Sequence, residues 1–180
     1  MKFVANVDFS GGKLRPLDKS DVDTIIKLYQ KQTLAGQSEA ASKEHAERLI
    51  ELSVQMAATQ RGLMWAIEVD GQMAGMLSLY DWQPTSLKTL MRLDALPNLD
   101  QQKQVDALRS GVDYLAHKYH LRNFSFQCLP EGEEAIIDVI KLAGFEQSAR
   151  LRDFRRTSQT EFSDILVFNM ILTESVEGEQ

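Results

Sequence analysis

At 180 residues, 43% of them hydrophobic and 26% charged, the chain has an ordinary globular balance and the length for one sizeable core. Its net charge of −6 sets it against a phosphate backbone, so nucleic acid is a poor partner and a basic or amine-bearing one is better tolerated. A single cysteine, Cys128, excludes an internal disulfide and suits a reducing cytoplasm. Residues 1–14 carry no signal-peptide apolar region, and no run approaches the ~18 apolar residues of a membrane span, so a cytoplasmic protein with no membrane partner is expected.

The elements are predicted in chain order as follows. "KLRPL" is a short strand ended by Pro16. "DKSDVDTIIKLYQKQ" starts a helix with Ser20 as N-cap, Asp21 and Asp23 at the positive dipole end, and an apolar face of Ile25, Ile26, Leu28 and Tyr29. A polar loop, "QTLAGQSEAAS", leads to a second helix capped by Ser42 with Leu49, Leu52 and Met56 on one face. "LMWAIEV" and "MAGMLSLYDW" flank Asp70-Gly71, a strong hairpin signal. "KTLMRLDAL" is a further strand. Val105, Leu108, Val112, Leu115 and Tyr119 form a helical stripe of about four turns. "RNFSFQCL" is a strand, and "EEAIIDVIKLAGF" a short helix closed by Gly144.

The chain ends in a pair of strands. The first carries Arg150, Arg152, Arg155 and Arg156, a composition that suits an exposed edge and could also hold an acidic partner. The second is nearly unbroken apolar from Ile165 to Leu172, as expected of a strand buried on both faces. The order β-α-α-β-β-β-α-β-α-β-β predicts a single α/β domain over 1–180, with 1–12 and 174–180 as loosely held ends.

That order, with four local motifs, resembles the GCN5-related N-acetyltransferase (GNAT) superfamily, nearest its ribosomal-protein N-terminal acetyltransferase branch. The motifs are "LRPLDKSDVDTIIKLY", "WAIEVDGQMAGMLSL", "IKLAGFEQSARLRD" with Arg152 and Asp153, and "EFSDILVFNMIL" with its early Asp164. The resemblance implies a mixed sheet of about seven strands, splayed between the fourth (87–96) and the fifth (123–129), with helices on both faces. It implies acetyl-CoA as substrate, lying in the gap, and an amine acceptor, a small molecule or a peptide, approaching from the other side. A homodimer is compatible with it.

In that family the turn before the third helix reads Arg or Gln, two variable residues, Gly, one residue, then Gly or Ala, and meets the pyrophosphate. Helix N-termini bind such groups through unpaired N–H groups and their partial positive charge, and glycines allow close approach. Here Asp100 and Gln102 occupy the glycine positions, and Glu133, beside Glu131 and Glu134, replaces an Asn that usually opens the fourth helix. Two readings stay open: a cofactor turn that has lost its glycines, or a helix start in which Asp100 is the N-cap and Gln101, Gln102 and Lys103 form the first turn. The implied cofactor-binding positions are Ala95, Leu96, Asp100, Gln101, Gln102, Lys103, Gln104, Cys128 and Glu133, with Lys103 and Arg109 as offsetting cations.

Direct transfer to an amine needs a base, a carbonyl polariser and an acid for the leaving thiolate. Asp94, Tyr80 and Asp81, at strand ends expected to face the cleft, are the catalytic candidates, each also readable as a solvated strand-end residue. The fourth helix lacks the Tyr that serves the family as acid. Cys128 lies near the thioester or is a small core residue. His117 and His120 have no ligand pattern around them, so no metal is expected. The alternative to an N-acetyltransferase is a catalytically silent protein of the same fold that binds a ligand or partner.

Overall fold

The computed structural model describes residues 4–30 and 42–173. Eight strands form one sheet: β1 (Val7–Phe9), β2 (Gly12–Pro16), β3 (Leu63–Val69), β4 (Gln72–Gln83), β5 (Lys88–Ala95), β6 (Asn123–Cys128), β7 (Glu146–Arg156) and β8 (Phe162–Ile171). Their order is β1-β2-β3-β4-β5-β6-β8-β7, antiparallel throughout except for the parallel pair β5·β6. Four helices accompany them: α1 (Val22–Tyr29), α2 (Lys43–Ala58), α3 (Gln101–Tyr119) and α4 (Glu134–Leu142). Among the described residues no helix is long and apolar enough to cross a membrane.

Side chains alternate across the strands and build two cores. Leu63, Trp65 and Ile67 of β3 join Leu77, Leu79 and the Val105–Leu108–Val112–Leu115 stripe of α3, together with Ile137 and Ile140 of α4. Ala66 of β3 and Met73 and Met76 of β4 face the other way, against Ile25 and Leu28 of α1 and Ala46 of α2. Asp70 (φ 53°) and Gly71 (φ 76°) make the β3–β4 turn with both central residues in the left-handed region. Gly144 (φ 107°) ends α4, and the next N–H, of Phe145, returns to Ile140 O at 3.0 Å.

Four expectations need correction. Residues 4–12, expected to be loosely held, supply buried Val4 and the eighth strand, β1, which pairs Val7–Phe9 with Gly12–Leu14 of β2. Ser20 does not cap the first helix. Asp18 caps a 3-10 turn at 19–21 reciprocally with Asp21, whose carboxylate is drawn inward by Arg15. Leu52 is 45% exposed, because α2 turns its small residues Ala46, Ser53 and Ala57 inward. Strand β8 is not buried on both faces: α3 and α4 cover one face of this end of the sheet, but α1 and α2 do not reach the other. Only Ile165 and Phe168 of β8 are fully enclosed, and Val167 and Asn169 are half-buried. The loop at 32–42 lies outside the described residues except for Ser42, which caps α2 by accepting from His45 N–H at 3.2 Å.

Candidate active site

Strands β5 and β6 pair over only three residues, Lys88↔Asn123, Thr89↔Phe124 and Leu90↔Ser125. Beyond Leu90, β5 bonds only to β4 and β6 only to β8. The sheet therefore opens in a V between the two strands that were expected to part, and the gap is a cleft of about 590 Å³. Its two walls are strand edges: beyond Leu90 β5 is paired with β4, beyond Ser125 β6 is paired with β8, and no strand bridges the gap.

Residues paired across strands share a face, and this sorts the lining into two sides. Tyr80 pairs with Leu90, Ser78 with Arg92, and Met76, which packs in the α1/α2 core, with Asp94. Tyr80, Arg92 and Asp94 thus project to the α1 side. The pairs Leu90↔Ser125, Ser125↔Asn169 and Arg155↔Ser163 carry the same face across the V, so Gln127 and Arg155 project there too. Cys128 projects to the other side, where Glu133, Ala135 and Ile136 complete the lining.

On the α1 side, Asp94 is 6% exposed and takes the Arg92 Nε–H on both oxygens, at 3.2 and 2.9 Å. The guanidinium of Arg92 sits 5.4 Å from the Tyr29 ring centroid. Burial, reinforced by the Asp94 charge, pushes the Tyr29 phenol up to about 12. The Tyr80 phenol is also raised, by burial first, while Arg92 and Arg155 pull it partly back. It keeps its proton across the neutral range.

On the α4 side, burial and then the Glu133 charge push the Cys128 thiol up to about 12. Thiolate is the reactive form, so on the order of one thiol in ten thousand is ionised at pH 8. Cys128 is a packed cleft wall, not a nucleophile. Iodoacetamide at pH 8 is expected to leave native protein unmodified and to alkylate it fully in urea, read by intact mass; modification of the native state at a free-thiol rate contradicts this. The Glu133 carboxylate accepts the Leu129 N–H at 2.5 Å, tying the start of α4 to the end of β6.

Of the sequence candidates, then, Tyr80, Asp94, Ala95, Cys128 and Glu133 line the cleft. Asp81 does not. It sits at φ 49° in the irregular end of β4, exposed, accepting from Gln83 Nε2 at 3.1 Å. Leu96 turns to the α1/α2 core. Asp100 is the N-cap of α3, accepting the Lys103 N–H at 2.8 Å, and Lys103 N–H holds its carboxyl below the usual range. Gln101 is exposed in the first turn, Gln102 donates to Asp106 at 3.0 Å, and Gln104 donates to Leu99 O at 2.9 Å. The Lys103 stem lies against Gly11. Arg109 donates to Leu142 O and Ala143 O at the end of α4. Among the described residues no group of three or more metal-ligating side chains is assembled.

Asp100→Ala is expected to lower the melting temperature by about 2–4 °C. Because the folded-state carboxyl titrates below its unfolded value, the cap's contribution is full above the unfolded value and is lost as pH falls through the lower folded one. The gap between variant and wild type should therefore begin to narrow below about pH 4. A gap that persists unchanged at pH 3 contradicts the cap.

Arg92, Gln127, Glu131 and Arg155 line the cleft but were not among the candidates. A period-2 count could have singled out Arg155, the one odd-numbered member of the arginine cluster. Arg150 pairs with Asp164, and Arg156 donates to Ser158 O and Gln159 O in the β7–β8 turn, so both brace the hairpin.

No protein-family model matches the chain, and no curated protein is significantly similar to it. Solved structures do match. RimL, a ribosomal alpha-N-protein acetyltransferase in complex with coenzyme A, superposes with a TM-score of 0.79 at 17% identity, covering 94% of this chain and 98% of that one. An acetyltransferase from Salmonella typhimurium that modifies the N-terminal serine of a 50S ribosomal subunit protein gives 0.78 at 17%, over 91% and 96%. The microcin self-immunity acetyltransferase MccE, with acetyl-CoA and AMP, gives 0.79 at 11%, over 90% and 93%. The fold is that of the GCN5-related N-acetyltransferases.

Proposed function

We propose that the chain is an N-acetyltransferase that moves an acetyl group from acetyl-CoA to a primary amine. The observation that carries this is the V between β5 and β6, which opens a cleft through the sheet lined by Tyr80 and Asp94. An acyl-CoA arm bearing amides can lie along a strand edge as an extended peptide does, and β5 and β6 each turn an edge to the gap. A ribosomal or other protein N-terminus is the acceptor suggested by the likeness to the ribosomal-protein enzymes. A reducing cytoplasm is the compartment that suits it.

Acetyl-CoA supplies a thioester carbonyl open to attack. The chain's own residues then have three tasks. The amide edges hold the donor in line. Asp94, fixed by Arg92, draws the acceptor ammonium to the α1 side and takes one proton from it, freeing the lone pair that forms the N–C bond; the second proton, shed by the acylated nitrogen, balances the one given to the sulfur. Tyr80, protonated at neutral pH, gives its phenolic proton to the sulfur as the C–S bond breaks. The adenine-diphosphate end of the donor fits less well. The N-terminus of α3, its family docking point, is closed by Asp100, and Arg109 is engaged elsewhere.

That closure favours a second reading, a silent protein of this fold that binds a partner. Calorimetry with acetyl-CoA and CoA, followed by mass analysis of amine and peptide acceptors, separates them. Binding with acetylated product supports the enzyme. No heat with either nucleotide removes it and leaves the binding protein.

A further inference from the structure

Arg155 sits half-buried in β7 and lines the cleft with Tyr80, on the α1 side. Among the described residues, no hydrogen bond or ion pair engages its guanidinium, whereas Arg150 and Arg156 are both taken. The carboxylates facing the cleft have other roles. Asp94 is matched to Arg92, Glu133 is held by the Leu129 N–H, and Glu131 is exposed beyond the end of β6. The protein is acidic overall, yet the α1 side of its cleft carries a positive charge beside a phenol. A guanidinium presents parallel donors that match a carboxylate.

We propose that Arg155 is a carboxylate anchor on the α1 side of the cleft, so that the preferred acceptor is an amine carrying a carboxylate a few bonds from its nitrogen. This rests on the acetyltransferase reading for its acceptor role, but the anchor itself is a binding site and can be tested without turnover. The carboxylate has two sources, the α-carboxylate of a free amino acid or an acidic side chain next to a peptide N-terminus. Either would place its amine near Asp94 while its negative charge meets Arg155.

The test titrates two pairs of probes into 15N-labelled full-length protein, following amide shifts. One pair is serine and serinamide; the other is the peptide amide Ser-Asp-Gly and its Ser-Asn-Gly counterpart. The charged member of at least one pair is expected to bind at least tenfold tighter than its neutral partner, since hydrogen bonds between charged groups are the strong ones. Which pair shows the gap identifies the source. Arg155→Gln should abolish the gap with little change for the neutral probes. Arg155→Lys, lacking the fork, should keep only part of it. Melting curves report whether each variant folds, and where Arg155→Gln does not, the wild-type gap and Arg155→Lys decide. Equal affinities within both pairs, a gap unchanged in Arg155→Gln, or no shifts with any probe each overturn the anchor. A gap in binding without acetyl transfer to any amine leaves the anchor standing and removes the enzyme.

Discussion

Replacing Tyr80 by Phe is expected to lower kcat by roughly a hundredfold while leaving acetyl-CoA affinity nearly unchanged. The ring still fills its place beside Leu90 at the vertex of the V, so the walls that hold the donor stay as they are. What is lost is the proton for the departing sulfur, a contribution made only as the bond breaks, and such losses fall on kcat. The pH profile carries the second half of the test. Burial raises the Tyr80 phenol above its ordinary value and only partly loses to Arg92 and Arg155. An acid must hold its proton, so activity is fully present below that raised value and declines as pH climbs through it. Wild-type kcat should therefore hold through the neutral range and fall only above about pH 10. In Tyr80→Phe that falling limb should disappear. A variant within twofold of wild type, with the limb intact, would move the acid elsewhere.

Where the sequence was readable, the determinant was local. Asp70-Gly71 specified its hairpin because both residues tolerate the left-handed region, and Gly144 ended α4 for the same reason. The parting strands at 87–96 and 123–129 came from the resemblance in element order, and the cleft lies between them. Asp100 was legible as a cap because its partner is three residues away. What escaped depends on distant partners. Asp21 is drawn inward by Arg15 from a different element, which displaced the cap expected at Ser20. β1 is three residues long and exists only by pairing with β2. The parity of Arg155 sets it apart from its arginine neighbours, but which face meets the cleft is decided by the pairing of β7 with β8. The apolar run of β8 gave no sign of which faces other elements would cover.

Asp21→Ala should be the most destabilising single change outside the hydrophobic core, by about 3 kcal/mol. Asp21 is 3% exposed and takes both terminal nitrogens of Arg15 at 2.8 Å, one on each oxygen, along with the Asp18 N–H at 2.7 Å. Removing it strands a guanidinium that is only 17% exposed, with Glu68 at 3.3 Å as its remaining carboxylate. Losing one partner of a buried pair costs about 3–5 kcal/mol because the other charge remains, and partial exposure of Arg15 places this case at the low end. For a chain of this size the melting temperature should fall by roughly 6–12 °C. Asp21→Asn, which keeps a hydrogen-bond acceptor but not the charge, should lie between, and truncating exposed Asp113 should change stability by less than about 0.5 kcal/mol. The consequence reaches the cleft. Asp21 starts the helix that ends by laying Tyr29 over Arg92, the residue that holds Asp94. Well below its melting temperature, Asp21→Ala should therefore raise KM for the acceptor more than for acetyl-CoA, whose walls belong to β5 and β6. An equal rise in both, or a melting temperature within 2 °C of wild type, would disconnect the start of α1 from the acceptor side.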